Sequence, residues 1–309
     1  DLKEKPQKLD TFLSQLSIRE LAVLSQVGVP NKTPLSFDIG SFGGLTLGAL
    51  AGGNRFNIPQ CFVADAGAGI RMPEYQGSEV VWFPSSTMLA SSWNDALAEE
   101  FGKAIGRQYI TFGADMWLAP SVNIHRNPLC GRNFEYYSED PLVSGKIGAA
   151  AVRGAQSMGI SVCVKHFAAN NQETARFTSV SCVSNRALRE IYLKPFEIIV
   201  KESEPLAIMS SYNMINGEYA GATESLLNDI LRGEWGFDGV VLSDWICHVN
   251  HLELLFGGTN IKSIVHDDEN QKQTGGYAFI RKAYLSGYVT REQLEDNARD
   301  ILKLLLRLD

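Results

Sequence analysis

The sequence predicts an α/β fold, a TIM-type (β/α)8 barrel or a partly collapsed (β/α) barrel, and three observations lead there. From residue 58 onward, short apolar runs alternate with longer amphipathic ones, the pattern of right-handed βαβ units on a parallel sheet. Several apolar runs end in a polar or charged residue: Asp65, Asn123 with His125, Lys165 with His166, Ser211 with Tyr212, and Asp244. In a closed barrel such strand ends converge on one face, where catalytic groups are held. The 309 residues exceed one average domain of about 150 but suit a single α/β barrel, which routinely reaches roughly 250 or more. We therefore read 1–309 as one barrel domain, with 1–57 an N-terminal helix plus irregular segment and 58–309 the barrel proper.

Residues 11–27 place Leu13, Leu16, Leu21 and Leu24 at a roughly helical period and read as the N-terminal helix. Residues 28–54 are rich in Gly, Pro and Ser with weak periodicity, the mark of a long irregular segment. No GxGxxG or GxxxxGK(S/T) follows a strand there, so a phosphate loop is not supported. The strand candidates are IPQCFVAD, MWLAPSVNIH, SVCVKHF, PLAIMSSYN and GVVLSDW. Helical spacing fills 92–112, 141–158, 187–201 and 225–235 between them. Residues 248–270 are weakly patterned, and a last helix runs over 291–306 behind a Thr290 N-cap. Five or six strands are convincing, so eightfold closure is inferred from the pattern as a whole.

Composition excludes several classes. At 45% apolar and 20% charged the chain is globular, neither disordered nor collagen-like. A net charge of −7 without a long basic cluster argues against nucleic acid as a partner. The longest uncharged stretch, 39–54, is glycine-rich and shorter than the ~18 to 20 apolar residues of a membrane span, so no membrane partner is expected. Cys61, Cys130, Cys163, Cys182 and Cys247 form no CxxC pair and are odd in number, which favours small buried hydrophobes over a disulfide framework or zinc site. A reducing, cytoplasmic compartment fits that usage. The opening residues DLKEKPQKLD have neither an initiator Met nor the apolar core of a secretory signal.

Asp244 ends a buried β-branched run beside Trp245, placing a carboxylate at the carboxyl end of the sheet next to an indole. Such a carboxylate can attack an anomeric carbon while a sugar ring stacks on the indole; a helix N-cap is the competing reading. Lys165 and His166 end another buried strand, where an unpaired ammonium is expensive, so polar partners must meet them. Their donors suit saccharide hydroxyls, against the alternative of a histidine satisfied by its neighbours. In GRNFEYYSEDP, Asp140 before Pro141 reads as an N-cap and first helical position. Arg132 offers a rigid fork for vicinal hydroxyls or for a carboxylate. His248, His251 and Glu253, and His266, Asp267 and Asp268, lack recognised metal spacing, so neither a metal nor any other cofactor is expected. No GxSxG elbow occurs, which removes serine-hydrolase logic from Ser243.

Taken together, VADAGAGIR, GRNFEYYSEDP, VKHFAANNQE, IMSSYNMING and WGFDGVVLSDW, in this order from about residue 58 to 245, resemble the catalytic barrel of glycoside hydrolase family 3, the β-glucosidase family. The stretch LAPSVNIHRNPLCGRNFEYYSEDP is similar to the bacterial branch in which the barrel comes second of two domains. The resemblance implies a retaining exo-β-glycosidase, most simply a β-glucosidase acting on terminal β-D-glucosyl residues of a β-glucoside or oligosaccharide. It makes Asp244 the nucleophile and Trp245 the stacking platform. Asp65, Arg71, Arg132, Lys165, His166, Arg176 and Tyr212 match the family's sugar-binding positions, and Met209 matches a position lining the same pocket.

The chain departs from the family pattern at three places. Asp65-Ala66-Gly67 stands where Asp-Gly-Pro is usual, Ile246-Cys247-His248 replaces a small Gly-Ala continuation after Trp245, and the Ala-Gly-Asn-Asp strand end survives only as Phe256-Gly257-Gly258-Thr259-Asn260. Retaining hydrolysis also needs a second carboxyl group about 5 to 5.5 Å from the nucleophile. In most of the family a Glu of the second, sandwich-like domain supplies it, and we expect that domain to be absent from this chain and the acid/base to lie outside it. The Asp/His pair of the N-acetylglucosaminidase branch has no counterpart, because no His occurs between His166 and His248. Glu173 and Glu135 are the local substitutes. A catalytically silent sugar-binding or regulatory barrel is the alternative function.

Overall fold

A computed structural model of the chain describes residues 5–28, 39–43, 55–71, 80–264 and 276–308. Eight strands form its centre: β1 (Gln26–Gly28), β2 (Ile39–Gly43), β3 (Gln60–Ala64), β4 (Met116–Trp117), β5 (Ser161–Phe167), β6 (Ala207–Ser210), β7 (Val240–Ser243) and β8 (Lys262–Ile264). Each of β3 to β6 pairs in parallel with the next, β1 pairs in parallel with β8, and β2 joins β3 to β1. A parallel bridge between Leu242 and Ile261, with Ser243 N donating to Ile261 O at 2.8 Å, links β7 to the residue before β8 and closes the ring. The predicted barrel is therefore present with eight strands.

Side-chain alternation separates its two faces. Cys61, Val63, Met116, Cys163, Ala207, Met209, Val240 and Leu242 share one core cluster with the N- and C-terminal helices, while their sequence neighbours Ala64, Trp117, Val162, Val164, Ile208 and Val241 pack in a second cluster with the helices between β3 and β7, so both clusters draw on the surrounding helices. Those helices are α1 (Ile18–Leu24), α2 (Asp95–Phe112), α3 (Pro141–Gln156), α4 (Lys194–Ser203), a π-helix at Ser225–Glu234, α5 (His251–Gly257), α6 (Gly276–Leu285) and α7 (Arg291–Leu308). Between α2 and α3 the backbones nearly touch. A Cβ at Gly154 would lie 2.0 Å from the Glu99 carbonyl oxygen, and one at Gly102 would lie 2.1 Å from that of Ala151.

Several expectations change. The single helix over 11–27 is two short ones, Leu9–Leu13 and α1, because Ser17 starts a new helix through a reciprocal cap with Glu20. Its last residues, Gln26 and Val27, are barrel strand. The irregular segment contains β2, which runs antiparallel to both neighbours and so needs no crossover helix. Residues 29–38 and 44–54 of that segment lie outside the described residues. MWLAPSVNIH keeps only two residues in strand, and 248–270 yields α5 and β8. Asp140 caps α3 as expected, accepting from Leu142 N and Val143 N, and Thr290 accepts from Gln293 N at the start of α7. Four cysteines are buried and Cys182 is exposed; all five are unpaired. Among the described residues no helix is long and apolar enough to cross a membrane.

Candidate active site

The carboxyl ends of the strands open onto a cavity of about 920 Å³. Asp65 follows β3, Lys165 and His166 end β5, Tyr212 follows β6, Asp244 follows β7, and Arg132 with Glu135 come from the loop after β4. Thus residues scattered over 180 positions of the sequence, from 65 to 244, meet on one wall because each sits at the same end of a parallel strand.

Buried charges in this wall are paired. Lys165 Nζ donates to Asp65 Oδ1 at 2.8 Å. Burial opposes the ammonium, but Asp65 and Glu135 outweigh it and raise its pKa. Arg132 binds the Glu135 carboxylate through Nε and donates through Nη2 to His166 Nε2 at 2.8 Å. Ser121 Oγ donates to the other Glu135 oxygen at 2.8 Å. Burial opposes the Glu135 charge, yet Lys165 and Arg132 hold its pKa below the ordinary value. For His166, burial and then the charges of Arg132, Lys165 and Arg176 push the pKa well down. The imidazole is neutral, and its Nε2 is occupied as an acceptor, so the 3.7 Å approach to Asp244 Oδ2 is not an ion pair.

Asp244 is 5% exposed. Its Oδ1 accepts from Trp245 N at 2.7 Å, and Oδ2 is buried without a geometric hydrogen-bond partner, although the Tyr212 hydroxyl, committed to the Trp245 carbonyl, lies close enough to favour the carboxylate's charge. Burial raises its pKa against the pull of Arg132 and Lys165. The N-cap reading of Asp244 fails, because the next helix begins at His251 behind an Asn250 cap. The Tyr212 hydroxyl donates to the Trp245 carbonyl, fixing the indole's backbone. Burial, followed by the nearby Asp244 charge, pushes the Tyr212 phenol up, so it stays protonated.

The remaining sequence candidates separate. Arg71 and Arg176 line the cavity; Arg176 pairs with Glu173 at 3.0 Å and lies 4.8 Å over the Tyr212 ring. Trp245 also lines it. Met209 does not: it is 1% exposed and packs with Leu242 and Ala207 in the core, because side chains alternate along β6. Asn123 is used structurally, its amide donating to the His166 carbonyl and accepting from His166 N, both at 2.9 Å. His248 stacks on Phe177 at 4.6 Å, and burial pulls His251 down to about 3. His266, Asp267 and Asp268 lie outside the described residues. Among the described residues no group of His, Cys, Asp or Glu is arranged to hold a metal.

Sequence reasoning missed the cavity mouth. Trp82 and Phe134 are 61% and 68% exposed and line it together with Ile246. Aromatic side chains left in solvent beside polar loops were the available signal.

This arrangement offers one carboxylate oxygen without a hydrogen-bond partner in the wall of a pocket lined by charged donors and acceptors and by Trp82, Phe134 and Trp245. Known proteins resemble the chain over most of its length. Residues 49–304 match the family profile described as the glycosyl hydrolase family 3 N terminal domain. The chain is 45% identical over 254 residues to beta-glucosidase A of Butyrivibrio fibrisolvens, covering 82% of this chain and 29% of that protein. It is 41% identical over 259 residues to beta-glucosidase B of Emericella nidulans, again covering 82% and 29%. The solved structure of beta-glucosidase 3B from Thermotoga neapolitana in complex with glucose superposes with a TM-score of 0.87 at 41% identity, covering 97% of this chain and 42% of that one. The chain spans about three-tenths of the length of these two curated relatives.

Proposed function

The chain belongs to glycosyl hydrolase family 3, and from that premise we propose that it is the barrel domain of a retaining β-glucosidase with Asp244 as nucleophile. The observation that carries this reading is the unpartnered, buried Oδ2 of Asp244, with Oδ1 pinned by the Trp245 amide. In the first step Oδ2 bonds to the anomeric carbon, the bond from that carbon to the aglycone oxygen breaks, and an acid protonates the departing oxygen. In the second step water takes the anomeric carbon, loses its proton to the same group acting as base, and frees the Asp244 carboxylate.

Asp65, Lys165, Arg132 and His166 bind and orient a gluco-configured ring, with Arg71 and Arg176 beside them and Trp245 as its apolar platform. The His166 proton on Nδ1 follows from Nε2 accepting from Arg132. Among the described residues the two local glutamate candidates are both engaged, which supports an acid from outside this chain. Glu135 is occupied by Arg132 and Ser121 and held ionised, the wrong state for a proton donor. Glu173 gives one oxygen to Asn170 and the other to Arg176. A partner domain or chain supplying a Glu completes the pair. The five unpaired cysteines fit a reducing, cytoplasmic setting.

The test is incubation with a dinitrophenyl 2-deoxy-2-fluoroglucoside, whose leaving group departs without protonation. A stable glycosyl adduct mapped to Asp244 by peptide mass spectrometry is expected, with none in Asp244→Asn. Glucose binding by calorimetry without any adduct would favour a sugar-binding barrel over an enzyme.

A further inference from the structure

We propose that Lys262 is a positioning residue for the Asp244–Ile246 segment of the cavity wall, an assignment that rests on the nucleophilic reading of Asp244 above. Lys262 stands on β8 opposite Gln26 of β1 and is 0% exposed. Its Nζ donates to the Val249 carbonyl oxygen and to that of Cys247 at 3.4 Å. Both acceptors lie within five residues of Asp244 in the same descending segment. No carboxylate pairs with this ammonium among the described residues; burial lowers its pKa, Cys247 and Glu253 work the other way, and the neighbouring His251 ring is neutral.

An uncompensated buried ammonium is unfavourable, and an apolar side chain of the same volume would fill the space without that penalty. What the ammonium contributes is capture of two buried carbonyls for which no other donor is seen among the described residues. The segment needs such ties. Ile246 adopts φ 58°, a left-handed conformation that a β-branched side chain disfavours. The turn is therefore held from outside, by the Tyr212 hydroxyl on the Trp245 carbonyl, by the His248 ring stacked on Phe177, and by Lys262 on the residues that follow. Lys262 is the tie that comes from the neighbouring strand across the closing seam of the barrel, so it fixes the height of Asp244 relative to the sugar-binding donors of β3 and β5. It touches no substrate and acts only through the backbone.

The experiment compares the fluoroglucoside labelling kinetics of the parent chain with those of Lys262→Met and Lys262→Gln, alongside thermal melts. Methionine keeps the volume without a donor, and glutamine is too short to hold both carbonyls. A misplaced nucleophile lowers the maximal labelling rate, by about tenfold or more, while the half-saturating concentration stays within about threefold, because Asp65, Arg132 and Lys165 still bind the sugar. A merely structural lysine would move the melting temperature and leave the rate of the folded fraction unchanged. A parent-like maximal rate in either folded variant overturns the assignment. Loss of folding in Lys262→Met leaves the decision to Lys262→Gln on the same criterion. Absence of labelling in the parent would instead overturn the nucleophilic reading of Asp244 on which this rests.

Discussion

Arg132 Nη2 lies 2.8 Å from His166 Nε2, and because a guanidinium only donates, the imidazole accepts there and carries its proton on Nδ1. That Nδ1 is buried with no hydrogen-bond partner, so the ring's one hydrogen bond comes from a loop 34 residues earlier. Burial, then Arg132, Lys165 and Arg176, holds its pKa well below 6.5. Nitrogen-detected spectra should show the Nδ1–H tautomer and no titration of His166 around pH 6.5, where an ordinary histidine titrates. The sign for stability follows. Below about 6.5 the unfolded ring takes up a proton that the folded ring refuses, so His166 makes the fold less stable as acid is added. A shift of its carbon resonances centred near 6.5 would contradict this geometry.

The Lys165–Asp65 pair gives a second prediction. The lysine side chain is 6% exposed and the aspartate 24%, so removing the cation leaves a half-sheltered carboxylate without its partner. Lys165→Met should destabilise the barrel by on the order of 3 kcal/mol in urea unfolding. Asp65→Asn should do less, because Glu135 still attracts the ammonium. Equal losses in the two variants would mean that Glu135 contributes nothing at this position.

How much of this was legible depends on where the determining contact lies. SVCVKHF could be read to its ends because it is long and apolar on both faces, and it is β5 without a residue's error. IGSFG could not, since glycines erase the alternation that marks a strand and its pairing with β3 is set by tertiary register. MWLAPSVNIH has the composition of a strand, but Pro120 has no amide proton, and beyond Trp117 only a bridge from Ser121 to Lys165 remains. Strand-end chemistry at Asp65, Lys165 and Asp244 was visible because it follows from the fold alone. Which oxygen of Asp244 stays free, and that Arg132 serves Glu135 and His166 together, depends on loops whose conformation no local pattern encodes.

Helix packing supplies a third test. Alanine favours helix over glycine by about 1 kcal/mol, so Gly154→Ala would stabilise an isolated α3. Here its Cβ would meet the Glu99 carbonyl oxygen at 2.0 Å and force α2 away. We expect a net loss of about 2 kcal/mol by chemical denaturation. Stabilisation would show that the two helices separate freely.

The cap of α1 makes stability depend on acid in a defined window. Glu20 accepts from Ser17 N and is bound by Arg55 Nε at 2.6 Å, and chiefly that Arg55 contact lowers its pKa from 4.5 to about 2, with burial working the other way. A carboxylate whose folded pKa lies below its unfolded one stabilises fully above the unfolded value and loses that contribution as pH falls towards the folded one. Glu20→Gln should therefore melt below the parent at pH 7, and the gap should narrow from about pH 4.5 and vanish near pH 2. Arg55 is half exposed, so salt should narrow the gap as well. A difference in melting temperature that persists unchanged to pH 2 would mean that the glutamate acts through its shape and its cap to Ser17, with no part played by its charge.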